Sequence, residues 1–195
     1  QFRDYIIDIM RGIVSEGHTF DLPVHIKGQL IETSFDMTNE TTKLEPLGDA
    51  NGYQHLWKRS QSEPLSGLEE ASWLLGDQFY TLSFAADQSL TTYFTELGAN
   101  DPNHNLRREQ ALIMRAQGSA ATFVSVYERH GRYDSDNEVT VFDVASVTDI
   151  HISTNSGIAS VAITTEGGDA VTFKLAESRN TRQPLQVLRT SVEVQ

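Results

Sequence analysis

A succession of short runs most constrains what this chain can fold into: DYIIDIMR, YQHLWKRS, FYTLSFA, LTTYFTEL, QALIMRA, ATFVSVYE, EVTVFDVA, GIASVAITT and AVTFKLA. Each is rich in β-branched or aromatic residues, and Gly, Asn, Asp or Pro clusters separate them, so the rhythm is that of strands and turns. It predicts an all-β chain, an antiparallel β-sandwich with little helix. In ATFVSVYE, Thr122, Val124 and Val126 point to one face and Phe123, Ser125 and Tyr127 to the other, and both faces are partly apolar, as in a central strand. Val124, Val126, Leu82 and Phe84 are therefore expected to be buried. TTEGGDAVTF reads as a hairpin, because Gly167 and Gly168 accept the positive φ that its turn needs. TNSGIAS and GDANGYQ read as further turns. In SGLEEASWLLG, Leu68, Ala71 and Leu75 would make one helical stripe, but the stretch is short and bounded by Gly67 and Gly76, so a strand is preferred.

Length and charge bound the remaining possibilities. With 195 residues, 38% of them apolar, one sizeable core and a single domain over 1–195 are expected. The polar break SRNTRQPLQ precedes a last strand-like run, VLRTSVEV, within 178–195. The chain opens at Gln1, inside the approach to a strand, which reads as a fragment of a longer polypeptide. No apolar run approaches membrane-spanning length. The net charge of -12 opposes binding to a phosphate backbone, so no nucleic-acid partner is expected. Without Cys there is no disulfide, thiolate nucleophile or cysteine metal site, and the compartment stays open.

A few polar clusters hold what chemistry the residues suggest. GHTFDLPVH offers His18, Asp21 and His25, all suitable zinc ligands, but the extended stretch around Pro23 does not enforce convergence. A hydrogen-bonded histidine pair at the start of a strand is the preferred reading there. YQHLWKRS, read as a strand, places Tyr53, His55, Trp57 and Arg59 on one face, able to stack on a sugar ring, although a half-buried aromatic face is commoner. VYERHGRY gathers Tyr127, Arg129, His130 and Tyr133 around Gly131, groups suited to acid, base and carboxylate-clamping roles, yet alternation keeps them from one face. No phosphate-binding Gly loop, nucleophile elbow or HExxH pattern is present.

The stretch TTYFTELGANDPNHNLRREQALIMRAQGSAATFVSVYERHGRY resembles the corresponding part of alginate lyases of the heparinase II/III-like superfamily, in particular the oligoalginate lyases of polysaccharide lyase family seventeen. The likeness is most specific at GANDPNHNLR and TFVSVYE. It continues through WLLGDQFYTL, GYQHLW, DYIIDIMRG and GHTFDLPVHIKGQ, spanning roughly residues 4–135. Such enzymes join an N-terminal helical toroid to a large antiparallel sandwich, so the resemblance implies that this chain is the C-terminal portion of that sandwich. The implied reaction is β-elimination on a uronic-acid polysaccharide or oligosaccharide. An acidic side chain or amide neutralises the uronate carboxylate, a base takes the C5 proton, and an acid protonates the leaving oxygen. The family's catalytic Asn, His, Tyr and Arg residues and its zinc ligands lie in the toroid and early sandwich. None of those motifs can be placed here, so no catalytic residue, metal ligand or cofactor is assigned to this segment. Zinc is expected only in the upstream part of a parent enzyme.

What the resemblance implies for this chain is a mainly structural, cleft-supporting role, periplasmic or secreted. The alternative is an independent, non-catalytic carbohydrate-binding or structural sandwich. In GANDPNHNLRR, Asp101 and Pro102 are expected to start a turn that Asn103 or Asn105 caps, and Arg107 and Arg108 to begin the next strand. His104, Arg107, Arg108 and His130 are the candidate substrate contacts. A sandwich begun midway leaves open strand edges, so packing on a companion segment or self-association is expected.

Overall fold

The computed structural model describes residues 5–39, 45–98, 108–141, 144–176 and 186–190. Three long tracks form its spine: β1 (Tyr5–Val24), β7 (Gln78–Ala86) continued by β8 (Leu90–Gly98), and β9 (Arg108–Asp134). β9 is central. Val126 stands opposite Ile7 on one side and Ser83 on the other, and Met114 opposite Leu22 and Thr92, so β7 and β8 follow one another along one side while β1 runs along the other. β6 (Glu69–Leu75) and β2 (Gln29–Thr33) extend the sheet beyond β7. β5 (Leu56–Ser62), with β3 (Met37–Asn39) and β4 (Glu45–Pro46), extends it beyond β8, and β10 (Val139–Val141) pairs with the end of β9. All these pairings are antiparallel.

β2 and β3 lie on opposite wings of this sheet, yet only residues 34–36 join them, so the sheet must curl. Its hollow is filled by Phe35, Leu65, Trp73, Leu82, Phe84, Phe94, Leu112, Met114 and Phe123. Phe35 meets Phe84 edge-on at 5.8 Å, a favoured aromatic geometry. A second sheet is a meander of β11 (Val147–Asn155), β12 (Ile158–Thr165), β13 (Ala170–Ala176) and β14 (Gln186–Thr190). Its Val147, Ile150, Val161 and Ile163 close over Ala85, Val124 and Val126 of the large sheet. The chain is thus all-β, an antiparallel sandwich. Leu82, Phe84, Val124 and Val126 are fully buried, and alternation sends Phe123 into the hollow and Val124 between the sheets. SGLEEASWLLG forms strand β6, and Gly167 and Gly168, at φ 99° and 85°, turn β12 into β13.

Two local readings need correction. QALIMRA and ATFVSVYE are one 27-residue strand, β9, with no reversal at the glycine between them. The mismatch is absorbed in β1, where residues 14–17 bulge between the pairs Ile13 with Ala120 and His18 with Gly118. Gln88 donates to the Ala120 carbonyl at 3.0 Å beside this bulge. YQHLWKRS does not begin as a strand. Gly52, at φ 92°, turns the chain, His55 N–H bonds the Gly52 carbonyl, and Tyr53–His55 form a 3₁₀ turn. β5 starts only at Leu56, and Arg59 is an extra residue between Lys58 and Ser60, so Tyr53, His55, Trp57 and Arg59 do not share one face.

Candidate functional site

The curled sheet ends in a groove of about 980 Å³. Its wall is the connection from β1 to β2, which carries His25 and Lys27, with Gln29 at the start of β2, and its other side comes from Arg59 of β5, Glu96 of β8, and Glu109 and Gln110 of β9. Its floor, Leu30, Met37 and Phe94, is continuous with the hydrophobic hollow. Arg59, displaced toward the groove by its bulge, donates from Nε to Glu96 Oε1 at 2.8 Å. Lys27 and His25 are exposed and have no hydrogen-bond or ion-pair partner among the described residues. Mouths of barrel-like sheets with an apolar floor and a polar rim commonly hold small ligands, and this one can hold a polar chain by ion pairing and hydrogen bonding.

Beside it, the loop before β5 is tied down. Arg115 of β9 donates from Nε to Asp21 Oδ1 and from Nη2 to Asp21 Oδ2, both at 2.8 Å. The Tyr53 hydroxyl also donates to Asp21 Oδ2. The Arg115 guanidinium lies 5.1 Å from the Tyr93 ring centre and 5.7 Å from that of Tyr53. Burial, and then the Asp21 hydrogen bond, push the Tyr53 hydroxyl above its ordinary range, and the Asp21 hydrogen bonds raise that of Arg115. Asp21 is therefore committed to Arg115 and Tyr53, and the trio His18, Asp21 and His25 does not suit zinc. His18 stands within β1 opposite Gly118, His25 follows the end of the strand, and no hydrogen bond joins them as a pair. Among the described residues no group of three or more His, Cys, Asp or Glu is placed to hold a metal ion.

The residues of VYERHGRY are separated. Tyr127 packs toward the hollow, and burial raises its hydroxyl. His130 is buried, accepts or shares a hydrogen bond with Thr81 at 2.8 Å through Nε2, and stacks on Phe79. Gly131, at φ 50°, is an extra residue between His130 and Arg132, so alternation fails there. His104 and Arg107, with Asp101, Pro102, Asn103 and Asn105, lie outside the described residues, and Arg108 opens β9 opposite Gly98.

Of the groove residues, Lys27 and Glu96 escaped the sequence reading, and Arg59 was placed on an aromatic face that its bulge does not allow. A usable signal was HIKGQ, where apolar alternation stops and a cation sits beside a turn glycine. Arg115 offered another, a charge inside the apolar run QALIMRA, since a half-buried guanidinium demands a partner.

Among the described residues no helix is long and apolar enough to cross a membrane. No known family's sequence profile matches the chain. It is 38% identical over 134 residues, 68% of its length and 18% of the other protein, to an alginate lyase of Stenotrophomonas maltophilia. It is 37% identical over 183 residues to the exo-oligoalginate lyase of Saccharophagus degradans, a longer match than the 4–135 stretch that carries the resemblance in the sequence. The chain spans about a quarter or less of the length of these curated relatives. Over 91% of its own length, this sandwich is similar to one quarter of an exo-oligoalginate lyase.

Proposed function

We propose that this chain is the later β-sandwich portion of a polysaccharide lyase that degrades alginate or its oligosaccharides by β-elimination, and that it mainly supports the substrate cleft. The observation that carries this reading is the 37% identity to the Saccharophagus degradans exo-oligoalginate lyase, sustained over 91% of the chain. The heparinase II/III-like resemblance supports the rest: catalytic groups and zinc in other parts of the polypeptide, and a periplasmic or secreted enzyme. His104, Arg107 and Arg108 are proposed sugar contacts on sequence grounds alone. The open side of β1 is the proposed seat of a companion segment.

A chimera tests the assignment. This chain replaces the matching quarter of the Saccharophagus degradans lyase, and alginate trimers are followed by absorbance of the new double bond. The chimera is expected to form unsaturated product and the isolated 195-residue chain none. Product from the isolated chain, abolished by Tyr127→Phe or His130→Ala, would overturn the supporting role. A well-folded chimera without turnover would overturn the lyase assignment and favour an independent carbohydrate-binding sandwich.

A further inference from the structure

We propose that the groove at the end of the curled sheet binds a uronate unit of an acidic oligosaccharide, with the Lys27 ammonium pairing its carboxylate and Leu30 and Met37 supporting its ring. The ligand class rests on the lyase reading above, and the site itself on the geometry.

Charge is the first argument. The protein carries -12, so an acidic sugar is repelled from most of its surface and needs a local cation. Within the groove Glu96 is neutralised by Arg59 at 2.8 Å, and Glu109 is also engaged. Lys27 is left as the lining residue whose full positive charge is uncommitted among the described residues, with His25 two positions away on the same connection. An exposed lysine on an open surface is ordinary. One that lines a groove, where low-dielectric walls focus its field, is placed to select an anion.

Shape is the second. A volume of about 980 Å³ lies at the upper end of small-ligand sites and admits more than one sugar ring. The Leu30 and Met37 side chains offer an apolar surface for the C–H face of a ring. The exposed amides of Gln29 and Gln110 at the rim supply both donors and acceptors for hydroxyls. Lys27 thus distinguishes a uronate from a neutral hexose of the same shape.

Calorimetric titration of the 195-residue chain with saturated mannuronate and guluronate tetramers, and with a neutral mannose tetramer, tests the site. At least one uronate tetramer is expected to bind about tenfold more tightly than the neutral one, in line with one charge-assisted contact. Lys27→Met should remove that preference, Lys27→Arg should keep it, and added salt should weaken it. Equal affinity for the neutral sugar, uronate binding indifferent to Lys27→Met, or no binding at millimolar sugar would each overturn the proposal. Because this titration involves no turnover, an inactive chimera with intact uronate binding overturns only the lyase assignment, and an active chimera without groove binding overturns only the groove.

Discussion

Arg115 and Asp21 face each other across β9 and β1, joined by two parallel hydrogen bonds of 2.8 Å. The forked pairing uses the planar geometry that only arginine offers, and both side chains are largely covered, at 20% and 8% exposure. Asp21→Ala leaves the guanidinium without its carboxylate and is expected to cost about 2–3 kcal/mol, somewhat under the range for fully buried pairs because Arg115 keeps some solvent. Arg115→Lys should also destabilise. Urea unfolding with an unchanged m-value checks both, and wild-type midpoints would show that the pair contributes nothing.

Tyr53 makes the same cluster sensitive to alkali. Its hydroxyl is raised above the ordinary tyrosine range by burial and by the Asp21 carboxylate, so the folded state prefers the protonated form. The sign follows: the stabilisation is fully present below the unfolded pKa, about 10, and is lost as pH rises through the folded value. Tyr53→Phe is expected to cost about 1 kcal/mol at pH 8 and to make the alkaline loss of stability shallower. Parallel stability-against-pH curves for the two proteins would contradict this.

Glu70 follows the same sign, but from the carboxylate range, so its contribution is lost at a lower pH than that of Tyr53. Burial raises its carboxyl above the ordinary range and the nearby Glu128 adds to this, although the Ser83 hydroxyl donates to it at 2.9 Å. A raised carboxyl stabilises the fold while protonated and loses that contribution as pH climbs through its folded pKa. Glu70→Gln retains an acceptor for Ser83 without the charge. It should therefore be more stable than wild type at pH 7, with the difference vanishing in acid below the ordinary glutamate range. A Gln variant less stable at pH 7 would refute this.

Glu128, 1% exposed, accepts from the Ser146 amide at 2.8 Å and the Ser146 hydroxyl at 3.1 Å, and that hydroxyl also meets Tyr5 at 2.6 Å. One carboxylate thus ties the central strand β9 to the segment that leads into the second sheet, and Ser146 links both to the start of β1. Glu128→Ala strands buried donors and is expected to cost about 2–4 kcal/mol, with Glu128→Gln costing less. Thermal unfolding of the two variants checks the order.

β1 pairs with β9 alone among the described strands, leaving the other side of this 20-residue strand without a described partner, and its Ile6 is 69% exposed. Long unpaired edges attract strands. In the isolated chain the outward amides of β1 are expected to exchange rapidly with solvent, and in the chimera slowly if the proposed companion strand covers them. Rapid exchange of those amides in a folded, monomeric chimera would rule the companion out.

The alternating runs by themselves determined the all-β class, the burial of Leu82, Phe84, Val124 and Val126, and the hairpin at Gly167 and Gly168, because side-chain alternation and positive φ are local properties of a strand and a turn. The tertiary structure decided what alternation could not carry across a bulge. At Gly131 and Arg59 one extra residue shifts which side chains share a face, and at residues 14–17 the register slips without the chain turning. The partners of Asp21 were likewise invisible: Arg115 lies 94 residues away and Tyr53 32, and only the pairing of β1 with β9 and the turn at Gly52 bring them to one carboxylate. The groove follows the same logic, since its lining comes from the β1–β2 connection and from the separate strands β2, β3, β5, β8 and β9, which adjoin only because the sheet curls.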